Sequence, residues 1–253
     1  MHILVTNDDG VAAPGLAALA AALRELADVS VIAPDRNWSA SGHVKTMHKP
    51  LRLDPATTAD GYEALATNGA PSDCVALAVL GVLGREVDMV VAGINPRSNT
   101  GHDVTYSGTV TAAMEAAIWG RPALSVSAVD GEGTGYRVAG QVARAVVGAV
   151  RDHGLPPLTL LNVNVPALPL EALSGIWVTR QGLRPYADRL VRREDPSGRA
   201  YYWISGDPPS DRPEPDTDFA ALESGFVSIT PLCLDLTSPS ALELLTGWRF
   251  DLR

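Results

Sequence analysis

Residues 2–10 read His2-Ile3-Leu4-Val5-Thr6-Asn7-Asp8-Asp9-Gly10. Five residues that suit a buried strand run into four that cannot continue it, the last a glycine that permits a tight turn. Pro14 then opens a helix in which Leu16, Leu19, Leu23 and Leu26 recur at spacings of three and four, forming one apolar stripe. Residues 29–33 (VSVIA) return as a second strand and close a strand–helix–strand unit.

The alternation continues outward from this unit. A strand near 63–67 precedes Asn68-Gly69, and Pro71 starts a helix through about residue 83. Residues 89–93 (MVVAG) have the apolar, β-branched character of a central parallel strand. A loop of Gly, Asn and Ser leads to a helix from Gly108 to Trp119, and 123–129 (ALSVSAV) is the next strand. Residues 136–151 predict a helix with Val138, Val142, Ala145, Val146 and Ala149 on one face, and 158–165 (LTLLNVNV) closes the series. Strands alternating with helices imply an α/β protein whose mostly parallel sheet is covered on both faces.

After residue 166 the texture changes. The stretch 184–218 is rich in Pro, Arg, Asp and Ser around Tyr201-Tyr202-Trp203-Ile204. It predicts an extended hairpin, serving as an oligomer contact, a wall of the active site, or a small satellite core. Residues 225–232 (GFVSITPL) read as a strand and 238–253 as a short helix with a tail. The expected division is a catalytic core over 1–183, an arm over 184–218, and a strand and helix over 219–253 that return to the core or exchange with a partner.

At 253 residues, 46% apolar and 19% charged, the chain suits one large core and excludes a disordered protein. A net charge of −9 argues against polymeric nucleic acid as partner, because phosphate contacts need a basic patch. Small phosphorylated substrates remain open, since a bound cation reverses the local field. There is no run of 18 apolar residues, and MHILVTNDDG lacks a signal-peptide core, so neither membrane span nor export is expected. Cys74 and Cys233 have no ligand spacing and read as buried thiols, consistent with a cytoplasmic protein.

In an open parallel sheet, ligands bind at the carboxyl ends of the strands, near the reversal of strand order. The residues expected there are Asn7 to Gly10, Pro34 to Ser39, Asn68-Gly69, Gly93 to Asn95 and Asn162. Asp8 and Asp9 are adjacent carboxylates that need compensation, which a divalent cation supplies. Oxygen donors without a His or Cys cluster point to Mg²⁺ or Mn²⁺. The alternative is that one of these aspartates caps the following helix. Asn95 is a reasonable third ligand or an Asx-turn, and Ser39 is a weaker candidate on chemistry. Tyr106-Ser107-Gly108-Thr109 leads into a helix whose free amides can face an anion, with Ser107 or Thr109 as cap. Neither GxxxxGK[ST] nor GxGxxG is present, so no dinucleotide is expected. Arg36, His43, Lys45, Arg97 and His102 are basic residues near these loops, and Trp38, Tyr106 and the aromatics at 201–203 could stack on a base. A cation beside an anion-binding helix start is a phosphate site at which water attacks, with Asp8 or Asp9 handling that water.

NDDG at 7–10, PDRNWSASGH at 34–43, TNGAPSDCV at 67–75, GINPRSNTGHDVTYSGTVTAAMEA at 93–116, LLNVNVP at 160–166 and TDFAALESGFVSITPL at 217–232 resemble the SurE family of 5′/3′-nucleotidases. The resemblance implies a Rossmann-like three-layer fold with hairpin and tail extensions, and a phosphatase using one divalent ion per subunit, Mg²⁺ or Mn²⁺. It assigns the metal to Asp8, Asp9, Ser39 and Asn95, and the substrate to Asn99, Ser107, Gly108 and Thr109. It further implies nucleoside monophosphates as substrates and a homodimer or homotetramer that exchanges C-terminal elements. A phosphatase indifferent to the nucleoside, acting also on short polyphosphate, and a non-catalytic nucleotide-binding module are the alternatives. Arg97 stands where the family usually has glycine, and Ala70 replaces a common threonine.

Overall fold

The computed structural model describes residues 1–129, 134–182, 187–207 and 214–252. The chain runs β1 (His2–Thr6), α1 (Pro14–Arg24), β2 (Asp28–Pro34), β3 (Leu53–Thr57), β4 (Glu63–Thr67), α2 (Pro71–Val79), β5 (Met89–Asn95) and α3 (Gly108–Ile118). It continues through β6 (Ala123–Ala128), α4 (Thr134–His153), β7 (Thr159–Val165), β8 (Ile176–Val178), β9 (Ala187–Glu194), β10 (Ala200–Asp207), α5 (Asp218–Glu223), β11 (Val227–Cys233) and α6 (Pro239–Thr246).

Nine strands form one sheet in the order β3-β4-β2-β1-β5-β6-β7-β11-β8. β1 pairs in parallel with β2 on one side and β5 on the other, so strand order reverses at β1. Side chains alternate across it. Ile3 and Val5 pack with Leu16, Leu19 and Leu23 of α1 and with the Val138 to Val150 face of α4. Leu4 turns to the opposite layer, with Cys74, Val75 and Ala78 of α2 and Val110, Ala113 and Ala116 of α3. Strands buried on both faces must be apolar throughout, which is why HILVT and MVVAGI lack a polar alternation.

Several expectations shift. Ala145 and Ala149, predicted on the buried face of α4, are exposed, and Ala139, Ala143 and Val147 take that place. α2 stops at Val79, with Leu80 as its C-cap, short of the predicted residue 83. Asn162 lies within β7 rather than beyond its end. Cys74 is buried, as read from sequence, but Cys233 is exposed.

The hairpin exists as a separate two-stranded sheet, with Tyr201 opposite Arg193 and Trp203 opposite Val191. β11 returns to the main sheet, antiparallel to β7. Beyond it α6 buries none of its side chains, and Leu242, Leu244, Trp248 and Phe250 are exposed. No helix among the described residues is long and apolar enough to cross a membrane.

Candidate active site

The turn after β1 is closed by Asn7, whose Nδ2 donates to the Gly10 carbonyl at 3.1 Å while its Oδ1 accepts from the Gly10 N–H at 3.2 Å. Gly10 sits at φ +104°, which a side chain would strain. The turn presents Asp8 and Asp9 at the reversal of strand order. Neither caps α1, whose N-cap is Ala13 without a side-chain bond.

Asp8 is buried at 3% exposure and packs against the start of α3. The Thr109 hydroxyl donates to Asp8 Oδ1. A Cβ on Gly108 would come within 2.7 Å of Asp8 Cβ, so only glycine lets helix and aspartate approach this closely. Burial raises the Asp8 carboxyl, opposed by the Thr109 hydroxyl and by backbone amides of Asp8, Thr109 and Gly108. The amides that the sequence assigned to a phosphate therefore face Asp8 itself. Ser107 is the helix cap, its Oγ accepting from Val110 N–H at 3.2 Å.

Among the described residues Asp9 is held by one side chain, Asn37, whose Nδ2 donates to its Oδ1 at 3.3 Å. Burial and then the neighbouring Asp8 charge push its carboxyl up to about 6, against the Asn37 bond. Asn37 also accepts the Ser39 N–H at 2.7 Å, and Asp8 carbonyl accepts the Trp38 N–H at 2.7 Å. The loop carrying Ser39 is thus tied to both aspartates. Asn95, at the end of β5, donates from Nδ2 to the Arg97 carbonyl at 2.6 Å, which leaves its oxygen as the acceptor end.

These groups share one cavity of about 640 Å³, lined by Asp8, Asp9, Ser39, Asn95, Asn99 and Ser107, with Asn37, Arg97, Asp103 and Tyr106 around them. Six of the eight residues named from sequence line it. The other two, Gly108 and Thr109, stand behind Asp8. Among the described lining residues Arg97 is the one cationic side chain. His43 and Lys45 point elsewhere: both bond Glu115 on α3, at 2.9 and 3.2 Å. Trp38 carries Arg36 over its ring at 5.0 Å and does not line the cavity. Among the described residues, no hairpin side chain lines it either.

The donor set fits a hard cation. Two carboxylates held against their own repulsion stand with a hydroxyl and a carboxamide oxygen, while no cluster of three or more His, Cys, Asp or Glu is found among the described residues. Sequence reasoning missed Asn37, which buttresses Asp9 and Ser39 together. Its position in the loop after β2 was visible, but its two partners were not.

The fold and site define a class: a doubly wound α/β protein with an acidic, oxygen-donor site at the reversal of strand order. The family model for Survival protein SurE matches residues 3–188, and the chain belongs to that family. It is 52% identical to the 5′-nucleotidase SurE of Chloroflexus aggregans over 254 residues, covering 99% of this chain and 100% of the relative. It is 52% identical to the 5′-nucleotidase SurE of Geobacter metallireducens, covering 99% and 98%. The crystal structure of SurE protein from Aquifex aeolicus superposes with a TM-score of 0.85 at 40% identity, covering 97% and 98% of the two chains.

Proposed function

We propose that this chain is a divalent-cation-dependent phosphatase that hydrolyses nucleoside monophosphates to nucleoside and phosphate. The observation that carries the reading is the Asp8–Asp9 pair, bonded by Thr109 and Asn37, in a cavity that also holds the oxygens of Ser39, Asn95 and Ser107 and the cation of Arg97. Full-length similarity to relatives named 5′-nucleotidase supports the substrate class.

Asp8, Asp9, Ser39 and Asn95 would hold the cation, Mg²⁺ or Mn²⁺, one per subunit. When bound, such an ion neutralises phosphoryl charge and acidifies water. Asp8 is held by the Thr109 hydroxyl and packed against Gly108 of α3, and would serve as a fixed ligand. Asp9 has one side-chain partner on Oδ1, so its Oδ2 is the atom able to orient the attacking water and take its proton. Ser107 and Asn99 line the same cavity and would meet the phosphoryl group there, and Arg97 brings the positive charge that the chain itself contributes. Tyr106, 58% exposed at the cavity mouth, offers a ring for the base.

The hairpin, α6 and the tail after it carry exposed Trp203, Ile204, Leu242 and Trp248, which suit a contact between copies in a cytoplasmic homodimer or homotetramer.

The test is phosphate release from nucleoside 5′- and 3′-monophosphates, tripolyphosphate and an aryl phosphate, with and without Mg²⁺ or Mn²⁺, beside Asp9→Ala. Metal-dependent release, fastest from nucleotides and lost in the variant, is expected. Equal rates on the aryl phosphate would remove the nucleoside preference, and normal turnover in Asp9→Ala would remove the mechanism.

A further inference from the structure

Asn162 and Asn164 alternate along β7, so both side chains rise from one face of the sheet, in a strand otherwise apolar. Both are fully buried. A buried carboxamide is costly unless its donors and acceptor are matched. These are matched, chiefly by one residue of a loop.

Asn164 Oδ1 accepts the Asn99 N–H at 2.8 Å, and Asn164 Nδ2 donates to the Asn99 carbonyl at 3.1 Å. Asn162 Nδ2 donates to the same carbonyl at 2.7 Å. The Asn99 side chain donates from Nδ2 to Ser127 Oγ at 2.9 Å. Two residues on, Gly101 is captured in the same manner by other side chains. Its N–H donates to Asp218 Oδ2 at 2.8 Å, and its carbonyl accepts from Gln181 Nε2 at 2.7 Å. Thr100 between them is extended, at φ −122° and ψ 158°. Side chains thus take the place of neighbouring strands and hold Asn99–Gly101 at its alternate residues.

We propose that Asn164 is a positioning residue for the phosphatase reaction. It does not line the cavity. It sets the height of the Asn99 backbone, and with it the segment from Asn95 to Asn99 that forms one wall of the cavity. A role confined to packing would be served as well by an apolar residue at 164, whereas both polar ends of this carboxamide engage the main chain of a cavity-lining residue. Ser125 supplies a contrast one step removed: its hydroxyl donates to Asn162 Oδ1 at 2.9 Å and reaches the loop through Asn162.

The inference rests on the phosphatase reading, so its test has a readout that does not. Asn164→Ala, Asn164→Asp, Ser127→Ala and Ser125→Ala are prepared as full-length, cation-free proteins, and hydrogen–deuterium exchange is followed over 96–101. Wild type is expected to protect this segment, Ser125→Ala to lose less protection than Asn164→Ala, and Asn164→Ala to lose protection there while β1 and β5 keep theirs. Steady-state kinetics on a nucleoside monophosphate with saturating Mn²⁺ follow. Asn164→Ala is expected to lower kcat about 10- to 100-fold with KM changed less than about threefold, the size of effect that follows a wall misplaced by about 1 Å. Asn164→Asp keeps the acceptor for Asn99 N–H and should recover part of the loss, which separates positioning from general loosening. Should Asn164→Ala not fold, Asn164→Asp and Ser127→Ala carry the same two readouts. Unchanged exchange at 96–101, or loosened exchange with full kcat, would overturn the proposal. A wild type that protects the segment yet releases no phosphate would instead overturn the phosphatase reading.

Discussion

Replacing Gly108 with alanine tests the contact on which the site is built. The added Cβ would lie 2.7 Å from Asp8 Cβ, 2.9 Å from its Oδ2 and 3.1 Å from its Cγ. Carbon atoms in contact rest at roughly 3.5–4.0 Å, so about 1 Å must open between helix and aspartate. α3 cannot supply it, because Val110, Ala113 and Ala116 are locked in the lower core, and β1 is hydrogen-bonded on both edges. The Asp8 side chain moves instead. Overpacking costs about 1–3 kcal/mol, while alanine returns up to about 1 kcal/mol of helix propensity. The net loss is about 0–2 kcal/mol, a fall in Tm of at most about 8 °C for a chain of this size. Activity should fall far more, by about 100-fold, because the proposed metal ligand would be displaced by about 1 Å. Gly148→Ala is the control: it lies within α4, nothing stands within 4 Å of the new Cβ, and it should keep activity. Differential scanning fluorimetry, cation titration and phosphate release on both variants decide the matter. Wild-type kcat/KM and cation affinity in Gly108→Ala would refute the placement of Asp8 against α3. A Tm collapse well beyond about 8 °C would show that the damage is to the core.

Two further predictions concern charges. Burial raises the Glu115 carboxyl, but hydrogen bonds from His43, Trp119 and Lys45 and the Lys45 charge outweigh it and hold it at about 2. A carboxyl lowered on folding stabilises the protein above its unfolded value of about 4.3 and loses that contribution as pH falls toward 2. Lys45 is 51% exposed, so the contribution is about 1–2 kcal/mol. Glu115→Gln should therefore unfold at lower urea concentration than wild type at pH 7, with the gap closing below pH 4; a gap unchanged at pH 3 would contradict the charge argument. Arg97→Ala should raise KM for a nucleoside monophosphate about 5- to 30-fold and leave cation affinity intact, since one exposed charge-assisted contact is worth about 1–2 kcal/mol. An unchanged KM would place the Arg97 side chain outside the substrate's reach.

The layers of this fold are legible because the central strands are largely apolar, and because α1, α2 and α6 are opened by a proline and α3 by a Ser-Gly pair. β3 escapes that reading: Pro55 sits within it, which only an edge strand accommodates, and its LDPAT sequence has no clean alternation. β8 is three residues long and leaves no periodic signal. α2 was read too long because Leu80, Val82 and Leu83 prolong its apolar character past a glycine at φ +102°. Within the site, Asp8 and Asp9 announce themselves as adjacent carboxylates after a strand. Ser39 is an ordinary loop serine, identifiable by resemblance alone. What no local pattern conveys is the partner of Thr109, since the Asp8 carboxylate lies 101 positions earlier. The asparagines of LNVNV carry a visible period of two, yet their shared target in the loop below belongs to tertiary structure.

The bond from Gly101 to Asp218 spans 117 positions of sequence. At a synthesis rate of roughly 5–20 residues per second, about 6–23 s separate the emergence of these two residues from the ribosome. Throughout that interval β1 to β7 can assemble, while Gly101 waits without its carboxylate partner. The anchor of this loop at Gly101 is therefore among the last contacts of the molecule to form, long after every residue that lines the cavity has been made.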